Sequence, residues 1–129
     1  TGVQTCALPI LYEDQWMFHG PAYQGVVQLG PIADNGISGR LKVSAGKGAL
    51  LDNMGQLAGY WVMEQDRDSL AMPISVDRIN FFGPPPPVGD EFDCQIWVRH
   101  LDGVSCVTDQ QLTNDHGQVL VAMEGWHCE

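Results

Sequence analysis

The hydrophobic and polar positions of this chain fall into short alternating runs and one long apolar stretch. Tyr23 to Leu29 reads as a first strand. Gly36 to Val43, where Ile37, Leu41 and Val43 recur on one side, reads as a second. Asp34-Asn35-Gly36 between them has the chemistry of a tight hairpin turn. Ser44 to Gly48 is a small-residue loop. Ala49 to Met63 then carries Leu50, Leu51, Met54, Leu57, Ala58, Trp61 and Val62 and is the one convincing helix. It contains Gly55 and Gly59, each less favourable than Ala by up to about 1 kcal/mol in a helix interior. Their spacing puts both on one side, where another backbone can come close. Glu64 to Ser69 is a charged, solvated exit from the helix. Four further strands are predicted: Pro73 to Phe82, Glu91 to His100, Val104 to Thr113 and Gln118 to Trp126. The run Gly83-Pro84-Pro85-Pro86-Pro87 cannot donate ladder hydrogen bonds and reads as a loop. Asp102-Gly103 and Asp115-His116-Gly117 supply the remaining turns.

Two strands, a buried helix and a meander of strands imply an α+β domain. An antiparallel β-sheet wrapped around one central α-helix satisfies that order, and this arrangement is the hotdog fold. A chain of 129 residues is enough for one such domain with a modest core. No apolar run approaches the roughly 20 residues that span a bilayer, so no membrane segment is expected. The net charge of −10, from 16 acidic and 6 basic residues, has the wrong sign for a phosphate backbone and argues against nucleic-acid binding.

Residues 1–10, Thr-Gly-Val-Gln-Thr-Cys-Ala-Leu-Pro-Ile, read as the in-frame translation of a common sequencing adapter and are set apart as a non-native segment. The domain is expected over 11–129, as a fragment. Beyond that segment, Cys94, Cys106 and Cys128 form no CxxC pair and are odd in number, which suggests neither a disulfide framework nor a zinc site. Reduced thiols fit a cytoplasmic protein, and no metal is expected.

The chemistry concentrates at Leu50-Leu51-Asp52-Asn53-Met54-Gly55-Gln56. Asp52 and Gln56 stand at i and i+4, so they share one helix face. A carboxyl and an amide among residues that want burial are costly unless satisfied or used, which makes them candidate site residues. Asp52 has a second reading, as a helix N-cap. His19 reads as structural, Tyr23 and Gln24 as strand and packing residues, and Tyr60 and Trp61 as core.

Phe18-His19-Gly20-Pro21-Ala22-Tyr23-Gln24-Gly25 resembles the FHGPxFQG opening of the C-terminal half of polyketide synthase dehydratase domains. Leu50-Leu51-Asp52 with Gln56 is similar to the LLDxxxQ motif at the start of that family's hotdog helix. Met72-Pro73-Ile74 through Phe81, the proline-rich loop and Glu124-Gly125-Trp126 are also similar, so the resemblance runs from Phe18 to Trp126. It implies the second half of a double hotdog. This half would supply Asp52 as the general acid that protonates the departing hydroxyl of a β-hydroxyacyl chain, with Gln56 holding the acid. Tyr60, Tyr23 and Pro21 would line the substrate. The general base would be a histidine in an HxxxGxxxxP motif of the N-terminal hotdog. No histidine here has glycine four positions on, so this chain lacks that base and is expected to be inactive alone. The implied partners are the N-terminal half, an acyl carrier protein and a homodimeric synthase. No soluble cofactor is implied, because the carrier's phosphopantetheine arm brings the substrate. A product-template or cyclase-like double hotdog, and a non-catalytic scaffold or docking hotdog, are the alternatives.

Overall fold

The computed structural model describes residues 5–7, 11–12, 23–46, 48–65 and 72–129. The Phe18-His19-Gly20-Pro21 part of the first motif lies outside them. The elements are β1 (Thr5–Cys6), β2 (Val26–Ala33), β3 (Gly36–Lys42), α1 (Ala49–Gln65), β4 (Pro73–Ser75), β5 (Arg78–Phe81), β6 (Glu91–Leu101), β7 (Cys106–Thr113) and β8 (Val119–Cys128). All join one antiparallel sheet in the order β1-β2-β3-β6-β7-β8-β4, with β5 also paired to β8. The sheet curls around α1, which packs Met54, Leu57, Ala58, Trp61 and Val62 against Leu29, Ile37, Leu41, Cys94, Ile96, Leu112, Val121 and Met123. This is a hotdog fold.

The ladder follows the alternation in the sequence. Cys94 and Ile96 of β6, Leu112 of β7 and Val121 and Met123 of β8 point inward and are buried. Asp34-Asn35 closes the β2–β3 hairpin as a two-residue turn, with Ala33 paired to Gly36. Helix and sheet meet where side chains are missing. A Cβ at Gly39 would press on both terminal methyls of Leu57, so this glycine gives the helix leucine its seat. Gly55 meets the indole of Trp126 in the same way. The close approach read from the helix glycines is therefore real at Gly55, but a side chain fills it rather than a backbone.

Three predicted boundaries shift for identifiable reasons. β2 starts at Val26 rather than Tyr23, because the Tyr23 carbonyl and the Gly25 N–H are turned to the helix, while the Gly25 carbonyl reaches β3, at Lys42. It continues through Pro31, which sits where the register slips between Leu29 and Ile32 and no regular ladder donor is needed. The single strand predicted from Pro73 to Phe82 is broken into β4 and β5. Opposite the break, Gly125 of β8 takes φ 68° and the Asp77 carboxylate occupies the space beside it.

Candidate active site

The start of α1 and the segment leading into β2 form one hydrogen-bonded unit. Gly48, at φ 71°, precedes the helix, and the Asp52 N–H already donates to its carbonyl. Asp52 is thus the fourth helical residue and not the N-cap. Its half-buried carboxylate accepts from Gln56 Nε2 through Oδ2 at 2.8 Å, the i, i+4 contact read from the sequence. Gln56 itself is buried. Its second amide proton goes to the Tyr23 carbonyl at 2.8 Å, and its Oε1 accepts from the Tyr12 hydroxyl at 2.7 Å. Tyr12 Oη in turn accepts from the Val26 N–H at 3.1 Å. Next to Asp52, the fully buried Asn53 accepts the Gly25 N–H at 3.2 Å. The two motifs read separately in the sequence are therefore held together physically.

Burial pushes the Tyr12 phenol up to about 12, and the Asp52 carboxylate adds to the rise while the Val26 N–H opposes it. The phenol accordingly stays protonated over the working range and keeps its one proton for Gln56. Burial likewise raises the thiols of Cys94, Cys106 and Cys128, so none is an activated nucleophile.

Of the residues expected to line the substrate, Tyr23 is half-buried beside Gln56 and lends its carbonyl to it. Tyr60, one turn beyond Gln56, is buried in the core and donates its hydroxyl to Glu64 at 2.6 Å. Pro21 and His19 lie outside the described residues. An apolar cleft of about 570 Å³ opens at the start of α1, with Leu50, Leu51, Val43, Phe81, Pro85 and Leu120 among its walls. It reaches the two residues before Asp52. Among the described residues, no cluster of three or more His, Cys, Asp or Glu could hold a metal, and no helix is long and apolar enough to cross a membrane. His100 bonds to Asp102 in the β6–β7 turn, and His127 faces Glu129 at 3.8 Å near the end of β8.

Two residues of this unit are not assigned from the sequence. Tyr12 reaches Gln56 across 44 positions, and Asn53 reaches Gly25 across 28. For Asn53 the available clue was an amide set within an otherwise apolar helix; for Tyr12 there was none.

The fold and this site together define a hotdog domain with a paired carboxyl and amide at the start of its helix. The family described as "Polyketide synthase dehydratase N-terminal domain" matches residues 11–129, and the chain belongs to the polyketide synthase dehydratase family. Solved structures agree on the fold. A trans-AT polyketide synthase dehydratase domain from Brevibacillus brevis superposes with a TM-score of 0.80 at 14% identity, over 100% of this chain and 49% of that one. The dehydratase domain of a mycocerosic acid synthase-like polyketide synthase gives 0.78 at 16%, over 98% and 48%. The dehydratase heterocomplex ApeI:P from Xenorhabdus doucetiae gives 0.72 at 17%, over 90% and 89%. The chain thus spans about half the length of the first two. No curated protein matches the sequence.

Proposed function

We propose that this hotdog is the aspartate-bearing half of a dehydratase that removes water from a β-hydroxyacyl chain held on an acyl carrier protein. The observation that carries the reading is the Asp52 carboxyl, held through one oxygen by Gln56 at the start of the hotdog helix. The family's description speaks of an N-terminal domain. The assignment to the C-terminal half rests instead on the likeness of Leu50-Leu51-Asp52…Gln56, preceded by Phe18-His19-Gly20-Pro21, to that half's motifs.

In the elimination, a base takes the proton from Cα and its electron pair becomes the Cα–Cβ double bond. The Cβ–O bond breaks, and the departing hydroxyl takes the Asp52 proton and leaves as water. The base is assigned to a histidine of an upstream hotdog. Tyr23 and Pro21 are assigned to the walls of the substrate passage. Tyr60, its hydroxyl already engaged by Glu64, contributes only bulk there. The phosphopantetheine arm of the carrier delivers the chain, and no metal or soluble cofactor takes part. This half carries −10, so long-range attraction to an acidic carrier is absent. Covalent linkage within a homodimeric cytoplasmic synthase raises the effective concentration instead.

The test is Asp52→Asn in a protein that carries both hotdogs, with water loss from a β-hydroxyacyl carrier-protein substrate followed by mass. Removing a positioned acid typically costs about 10²–10⁴ in rate. Gln56→Ala costs less, because it only loosens the acid. Dehydration at the parent rate by Asp52→Asn removes Asp52 from the chemistry. An inert parent favours the scaffold reading, and ring closure of a polyketide chain by the parent favours the cyclase-like one.

A further inference from the structure

The geometry points to Tyr12 as a positioning residue that anchors the Oε1 end of the Gln56 amide while the other end holds Asp52. This rests on the proposed acid role of Asp52 and deepens it. The argument is a count of protons. An N–H can only donate, so the Val26 N–H, 3.1 Å from Tyr12 Oη, obliges that oxygen to accept. The one phenolic proton is then free for Gln56 Oε1, 2.7 Å away. A phenol shifted up to about 12 by burial does not lose that proton under working conditions. With Oε1 fixed on Tyr12, Gln56 presents its NH₂ to the Tyr23 carbonyl and to Asp52 Oδ2, both at 2.8 Å. Gln56 can therefore only donate to the Asp52 carboxyl, and it does so from an amide anchored at its other end.

Without the phenol, the buried Oε1 loses its donor, and Gln56 is held only through its NH₂, by the Tyr23 carbonyl and Asp52. Tyr12 therefore acts through Gln56 on how firmly the Asp52 carboxyl is held, not on substrate binding. Tyr12 is itself buried, and the Val26 N–H depends on it, so a purely structural role is the rival account.

The experiment uses a dehydratase with both hotdogs and the variants Tyr12→Phe, Asp52→Asn and Gln56→Leu. Tyr12→Phe is expected to lower kcat about tenfold with KM unchanged, and to add no further loss in a Gln56→Leu background. In the unmutated protein the Gln56 side-chain NH₂ protons should exchange slowly with solvent by NMR, and markedly faster in Tyr12→Phe. If Tyr12→Phe keeps the parent kcat while Asp52→Asn loses activity, the inference falls and the acid reading stands. If Asp52→Asn is fully active, the acid reading falls first. Equal losses from Tyr12→Phe with and without Gln56 mean that the tyrosine is only structural. Should Tyr12→Phe not fold, the unmutated protein still decides: a fast-exchanging Gln56 amide overturns the proposal.

Discussion

Tyr12 shows how one buried side chain ties charge, hydrogen bonding and stability together. Its phenol is held neutral by burial, up to about 12 from its ordinary 10. A folded-state value above the unfolded one stabilises fully below pH 10, and that contribution is lost as pH rises through 12. The span corresponds to roughly 3 kcal/mol. Urea unfolding followed between pH 9 and 12 should therefore show a falling midpoint, and Tyr12→Phe should flatten part of the fall. The buried thiols, raised in the same direction, account for alkaline loss that remains in the variant. An identical alkaline slope in Tyr12→Phe would mean that this phenol titrates as it does in the unfolded chain.

Among the elements, the contact between α1 and β8 is the least forgiving. Gly55 lies directly under the Trp126 indole, whose N–H is tied to Cys128 Sγ at 3.1 Å. Gly55→Ala gains helix propensity of up to about 1 kcal/mol but overpacks this contact, at a typical cost of about 1–3 kcal/mol. Net destabilisation is expected, read as a lower midpoint in denaturant with an unchanged slope. Gly103→Ala, in the β6–β7 turn with open space around its Cα, is the matched control and should stay within about 0.5 kcal/mol of the parent. A neutral or stabilising Gly55→Ala would show that Trp126 moves aside without cost.

Across the whole molecule, one end of the sheet is apolar where water should be. Ile74 on β4 and Phe81 on β5 are 58% and 63% exposed, with Phe82 and Val88 beside the proline-rich loop at 57% and 66%. Among the described residues β5 pairs with β8 alone, and its other side forms no ladder with them. Such an edge invites association, and the isolated chain is expected to self-associate and bind hydrophobic dyes. Co-expression with an upstream hotdog should suppress both. A monomer by sedimentation with low dye binding would count against the expectation.

The sequence by itself determined what is local. Alternation placed β3, β6, β7 and β8 within two residues of their ends, because a half-buried strand writes its two faces into neighbouring positions. The same holds for α1 and for Asp52 with Gln56, a contact one helical turn long. From these, and from the likeness of two motifs, the hotdog and the family were legible. Tertiary structure decided the rest. The partners of Gln56 and Asn53 come from Tyr12, Tyr23 and Gly25, far away in the chain, and no periodicity encodes such meetings. The break between β4 and β5 likewise depends on a glycine of β8, nearly fifty residues later, whose left-handed backbone makes room for Asp77. Short-range order follows from backbone geometry that every residue shares. The site depends on which distant side chains the closed sheet brings within hydrogen-bond reach.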